Sequence, residues 1–137
     1  MSFHVRLRGS LLTAHITPFP QKSPVPGAEL LLDSLGFDAL AADADLVITG
    51  EGCIDGQTLM GKLPLRVLRR ASALGVPVVA IGGRVTIAHN PGFVKMIAVS
   101  PAGLPPEAAM RPATASENIR KAVADLLSQA GNSGLLR

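Results

Sequence analysis

Glu51 and Asp55 are two carboxylates four residues apart in the run DLVITGEGCIDGQTLMGK, residues 45–62. Thr49, Gln57 and Thr58 surround them with hydrogen-bonding side chains, and Lys62 adds an ammonium. Carboxylates repel phosphate, so this pair cannot cradle one directly. It suits two other tasks: holding Mg²⁺ through oxygen ligands, or accepting hydrogen bonds from a ligand's hydroxyls. Lys62 would meet a phosphoryl group or a carboxylate as a point charge. Gly50 and Gly52 are expected to let the backbone approach a ligand closely or adopt positive φ. The same residues would also make an ordinary exposed turn between a strand and a helix. Spacing alone does not separate these readings.

Two familiar phosphate-binding patterns fail here. Gly56–Lys62, GQTLMGK, fits G-x-x-x-x-G-K, but Leu63 stands where a P-loop needs the Mg²⁺-binding Ser or Thr. The run also begins well after the expected end of its strand, whereas a P-loop follows its strand directly. GEGCID carries Asp55 where a dinucleotide fingerprint needs glycine. Cys53 lies between acidic neighbours that disfavour a thiolate, so it is a poor nucleophile. Arg66, Arg69 and Arg70 read most simply as the wet face of a helix, or as a basic stripe reaching back to Lys62. Gly82, Gly83 and Arg84 would close the next strand, lining the same crevice or making a turn. His89 has no orienting carboxylate nearby in sequence.

The elements that must position these groups follow from hydrophobic patterning. An apolar strand is expected over 46–49, with a loop beginning at Gly50. LPLRVLRRASALG then places Val67, Leu68, Ala71 and Leu74 on one helical face, with Pro64 in the first turn and Gly75 at the end. VPVVAIGG is a continuous apolar run of the kind buried on both faces of a parallel sheet. A third strand is expected over 94–99. Helices are expected over 28–35, as a short turn after Gly36, and as a further turn over 107–110. A T-x-x-E box, Thr114 and Glu117, would cap the last helix, which carries Ile119, Val123, Leu126, Leu127 and Ala130 at helical spacing and stops at Gly131. The fold class is α/β: three layers, a mostly parallel sheet flanked by helices. Three strands are few for a free-standing doubly wound domain, which implies part of something larger.

Three segments result. Residues 1–26 form an irregular N-terminal segment containing Pro18, Pro20, Pro24 and Pro26, preceded by a short alternation at Val5 and Leu7 that would suit an edge strand. Its lack of acids faintly resembles a transit peptide, but a loosely packed terminus is the simpler reading. His4 and His15 within it have no partner at ligand spacing. Residues 27–131 form the α/β domain, and residues 132–137 a frayed tail. Of the 137 residues, 47% are apolar and 17% charged, an ordinary globular composition. No apolar run is long enough for a membrane span. With four aromatics, all Phe, and a net charge of +3, stacking or basic-patch binding of nucleic acid is not expected. The lone Cys53 rules out an intrachain disulfide and suits a reducing cytoplasm.

The stretch ADLVITGEGCIDGQTLMGKLPLRVLRRASALGVPVVAIGG closely resembles the carboxy-terminal part of bacterial two-domain glycerate kinases. That family's pattern runs approximately DLVITGEGRIDxQTxxGKxPxGVxxxA, then GVPVIAIAG. PGAELLLDSLGFDAL is similar to the family's PGIxxVLDxLGL segment, and SPAGLPPEAAMRPATASENIRKAVADLL to its closing helical region. The resemblance spans residues 26–127. It implies an ATP-dependent phosphotransferase acting on D-glycerate, with Mg²⁺ as cofactor. By position it marks Thr49, Gly50, Glu51, Gly52, Asp55, Gln57, Thr58 and Lys62 as the site. We expect Glu51 and Asp55 to hold metal or glycerate hydroxyls, Lys62 to lie near a carboxylate or phosphate, and the others to bind substrate.

Three departures qualify that expectation. Cys53 replaces the pattern's Arg, and Gly83-Arg84 replaces a small Ala-Gly-Ser ending, so that Arg84 could return a cation. Family members are also much longer, and RGSLLTAHITPFPQ stands where their GAAGG stretch would be. The chain is therefore expected to be an incomplete part of a larger two-domain fold. The alternative is a non-catalytic remnant or small-ligand-binding α/β module, its open sheet edge favouring self-association or a partner chain.

Overall fold

The computed structural model describes residues 2–7, 10–15 and 27–133. A five-stranded sheet runs in the order β2-β1-β3-β4-β5. Its strands are β1 (Ser2–Leu7), β2 (Ser10–His15), β3 (Val47–Ile54), β4 (Val78–Val85) and β5 (Lys95–Ala98). The helices are α1 (Gly27–Ser34), α2 (Phe37–Ala42), α3 (Leu63–Ala73), α4 (Pro106–Ala109) and α5 (Pro112–Ser133). β3, β4 and β5 pair in parallel, whereas β1 pairs antiparallel with both β2 and β3. The expected α/β class is what the chain forms, with β3, β4 and β5 as a three-strand parallel sheet flanked by helices and the β1–β2 pair added antiparallel beside β3.

Both faces of the first halves of β3 and β4 are covered, which explains the apolar runs there. Val47, Val78 and Ala80 join Leu32, Phe37, Val67, Leu68 and Ala71 in the larger core, beneath α1, α2 and α3. Leu46, Ile48, Val79 and Ile81 pack with Leu126 of α5 on the opposite face. These are the three layers. α3 sets the geometry of the strand-to-helix connection. Its inward face buries Leu63, Pro64, Leu65, Val67, Leu68 and Ala71. It ends where Gly75, at φ 69°, lets the Val76 N–H reach back to the Ala71 carbonyl at 2.9 Å.

Five expectations need correction. The segment through residue 26 is not irregular throughout, since residues 2–7 and 10–15 form an antiparallel hairpin. β1 lies inside the sheet, between β2 and β3, rather than at an edge. The reason is non-local: the free side of β3 must satisfy its backbone groups, and β1 supplies the ladder. The prolines from 18 to 26 lie outside the described residues. β3 continues beyond Thr49 to Ile54, because β4 stays in register with it through Glu51–Gly82, Cys53–Arg84 and Ile54–Val85. Gly50, Glu51 and Gly52 are thus strand residues. α5 begins two residues before Thr114, with the Arg111 carbonyl accepting from the Ala115 N–H at 2.9 Å. Pro112, which has no N–H to satisfy, takes the first helical position, so Thr114 lies inside the helix rather than at its cap. Glu117 instead accepts from Arg120 at 2.6 Å. The helix runs on through Asn132 and Ser133, and residues 134–137 lie outside the described ones.

The arginines of α3 are not a free basic stripe. Arg70 grips Asp38 through two bonds of 2.8 Å and Asp33 at 2.6 Å, and its guanidinium lies 5.9 Å from the Phe37 ring centre. Arg66 donates to Glu29 at 3.2 Å, and Arg69 alone of the three is exposed. These pairs fasten α1 and α2 to α3. The Arg70 hydrogen bonds hold the Asp38 carboxyl below its ordinary value of 3.8. A lowered folded-state pKa means that this stabilisation is present above pH 3.8 and disappears as pH falls through the folded value. Asp38→Asn should therefore cost about 1 kcal/mol at pH 7, a figure kept small by the pair's exposure. The gap between variant and parent should close below pH 3.8 in acid-denaturation curves.

Candidate functional site

β3 delivers Glu51 to the carboxyl end of the sheet, and a turn then carries the chain into α3. Asp55 shapes that turn. Its Oδ1 accepts from the Gln57 N–H at 2.8 Å, and its carbonyl accepts from the Thr58 N–H at 3.0 Å. A short 3-10 turn, Thr58–Met60, ends at Gly61, whose φ of 95° redirects the backbone and places Lys62 at the start of α3.

Thr58 holds the arrangement together. It is fully buried; its hydroxyl donates to Glu51 Oε1 and accepts from the Asp55 N–H at 3.1 Å. The Lys62 ammonium lies 3.8 Å from Glu51 Oε2 and remains substantially exposed, while the Glu51 side chain is only 9% exposed. One hydroxyl therefore fixes both acidic residues, and the nearby ammonium offsets one of them. A hydrogen bond to a buried ionised group contributes about 1.5–3 kcal/mol, enough to keep the Glu51 rotamer fixed.

The other expected site residues divide into two groups. Thr49 is buried, and its hydroxyl has no hydrogen-bond partner among the described residues. Gln57 is exposed and enters the turn through its backbone. Neither Gly50 nor Gly52 has positive φ. A Cβ on Gly50 would stand 2.7 Å from the Ile81 carbonyl oxygen, so that glycine serves the close approach of β3 to β4 rather than a ligand. Beside Gly52 there is open space.

That space belongs to a cleft of about 870 Å³ outside the carboxyl ends of β3 and β4, bounded by residues 99–104 and by α4 and α5. Its walls are largely apolar, including Ile48, Ile81, Val99, Leu104 and Ile119. Arg84, expected either to line the crevice or to make a turn, does line it. Ser100 and Asn118 also line it, although no sequence motif marks either. They come from the loop after β5 and from α5, far along the chain, so only folding brings them here. Strand ends of this kind are the usual ligand position in open α/β sheets. His89 is exposed, outside this cleft, and Cys53 lies 3.9 Å from the Thr86 hydroxyl.

Among the described residues no three His, Cys, Asp or Glu side chains converge as a metal cage. Mg²⁺ does not require one, since it is commonly held by one or two carboxylates, waters and substrate phosphates. Thr58 bonds the Glu51 carboxylate and the Asp55 backbone N–H, while the Asp55 carboxylate caps its own turn.

The sequence model of the glycerate kinase family matches residues 12–130. The chain belongs to this family. Over 72 residues it is 49% identical to a glycerate kinase of Halalkalibacterium halodurans, covering 53% of this chain and 19% of that one. It is 38% identical over 85 residues to a glycerate kinase of Bacillus subtilis, covering 59% and 22%. In three dimensions it is similar to a Salmonella typhimurium LT2 protein assigned as glycerate kinase 2, with TM-score 0.59 and 34% identity over 81% of this chain and 27% of that one. The chain thus spans about a fifth of the length of the curated glycerate kinases it matches. No helix among the described residues is long and apolar enough to cross a membrane.

Proposed function

We propose that the chain carries the ligand-holding part of a glycerate-kinase-type phosphotransferase, which converts ATP and D-glycerate to ADP and phosphoglycerate in the cytoplasm. The observation that carries this reading is the linked set Glu51–Thr58–Asp55 with Lys62 against Glu51, in a chain of this family. Phosphoryl transfer asks mainly for positioning and charge neutralisation. Glu51 and Asp55 would hold Mg²⁺ or orient the hydroxyls of the acceptor. Mg²⁺, when bound, would neutralise charge on the phosphates. Lys62 is close enough to Glu51 to balance it and exposed enough to meet an incoming carboxylate or phosphate. Gly52, with open space beside it, would let a ligand approach the strand end closely.

A second reading is favoured by how completely the loop satisfies itself. Glu51 is already bonded to Thr58, and Asp55 to its own turn. In that reading the chain is a non-catalytic, ligand-binding α/β module, alone or beside a partner chain. Calorimetric titration with D-glycerate and with ATP–Mg²⁺, together with an ADP-release assay, separates the two. D-glycerate-dependent ADP release supports the enzyme, and binding without release supports the module. Absence of both binding and release would discard both.

A further inference from the structure

The cleft at the strand ends holds two charged residues among those described, Glu51 and Arg84. Glu51 already accepts a hydrogen bond from Thr58 and faces the Lys62 ammonium at 3.8 Å. Arg84 is exposed and has no carboxylate within ion-pair reach among the described residues. This differs sharply from Arg66 and Arg70, whose guanidiniums are taken up by α1 and α2. The Gly82 and Gly83 carbonyls beside Arg84 already accept from the Val99 and Ser100 N–H groups at 2.9 and 3.2 Å. A second donor lines the same cleft: Asn118 Nδ2 is shut off from solvent and has no hydrogen-bond partner among the described residues. The unpaired polar side chains of the cleft thus include the Arg84 guanidinium, the Asn118 amide N–H and the Thr49 hydroxyl, all able to donate to an anion, and its walls are largely apolar.

Size narrows the ligand. About 870 Å³ is near the upper end of pockets that take drug-sized molecules, and a three-carbon acid would leave most of it empty. A nucleotide has the required make-up: a flat base for apolar walls and a phosphate for a guanidinium, whose planar fork matches phosphate oxygens in pairs. Register shows how the chain places this cation. Arg84 stands directly opposite Cys53 on the adjacent strand. β4 therefore supplies the charge at a level of the sheet where β3 carries a thiol.

We propose that Arg84 is the phosphate-holding residue of a nucleotide site in this cleft, with the base lying against the apolar wall formed by Ile81, Val99 and Leu104. This rests on the ATP-using reading above and deepens it. The test is calorimetric titration of the full chain, of Arg84→Met and of Arg84→Lys with ADP, adenosine and D-glycerate. In Arg84→Met, ADP affinity should fall at least about tenfold, the loss expected for one charge-assisted bond. Arg84→Lys should recover part of it, as a point charge without the fork. Adenosine and D-glycerate affinities should stay within about twofold of the parent, because neither presents a phosphate to Arg84. Undiminished ADP affinity in Arg84→Met overturns the proposal, as does an equal loss for adenosine. A loss for D-glycerate alone would transfer Arg84 to the acceptor's carboxylate and overturn it as well. If the parent chain binds D-glycerate but no ADP, this proposal falls while the acceptor half of the functional reading stands.

Discussion

Replacing Glu51 by glutamine should weaken binding of ATP–Mg²⁺ or D-glycerate by about 10- to 100-fold, the range for losing a hydrogen bond or metal contact to a charged group. Any ADP release should fall at least as far. The substitution keeps shape and one acceptor oxygen, so Thr58 can still donate to it. Only the charge, and with it the balance against Lys62, is lost. Melting temperature should accordingly move by only a few degrees, since about 1 kcal/mol corresponds to roughly 3 °C in a chain of this size. Thr58→Val is the informative companion. It leaves the carboxylate charged but removes the hydroxyl that joins Glu51 to the Asp55 N–H, from a fully buried position. That variant should lose about 2–3 kcal/mol of stability. Calorimetric titration beside thermal melts distinguishes charge from placement. Unchanged ligand affinity in Glu51→Gln would remove Glu51 from the site.

The second large effect separates two glycines that look alike in the motif. Gly50→Ala should cost about 3 kcal/mol, at the upper end for an overpacked interior, and lower the melting temperature by about 10 °C. The added Cβ would stand 2.7 Å from a backbone carbonyl oxygen, which cannot turn aside as a flexible side chain would, so β3 and β4 would have to part. Gly50→Val should leave little folded protein, given total stabilities of about 5–15 kcal/mol. Gly52→Ala meets nothing within 4 Å and should change stability by less than about 0.5 kcal/mol. Any effect of that variant on ligand affinity then reports crowding of the cleft. Urea denaturation of the two alanine variants makes the comparison. Equal destabilisation would refute the packing assigned to Gly50.

Much of the architecture follows from local physics, and the sequence alone carries it. The apolar runs that open β3 and β4, the amphipathic α3 with Pro64 and Gly75 at its ends, and the α/β alternation are properties of neighbouring residues. The same holds for the sequence resemblance in the TGEG-ID-QT-GK stretch, which points to the family and marks where a site should be. Pairing across the chain is another matter. The placement of β1 inside the sheet, the extension of β3 through Ile54 and the start of α5 at Pro112 each depended on a distant or competing backbone group. Whether a glycine faces a ligand or a neighbouring strand, and whether an arginine is free or gripped by carboxylates, cannot be read from spacing. Both depend on atoms brought together from 30 or more positions away, as Gly50 with Ile81 and Arg70 with Asp38 show. Sequence named the residues that can do chemistry. Tertiary structure decided which of them, Arg84 and Lys62 among the cations and Gly52 among the strand-end glycines, remain open to a ligand.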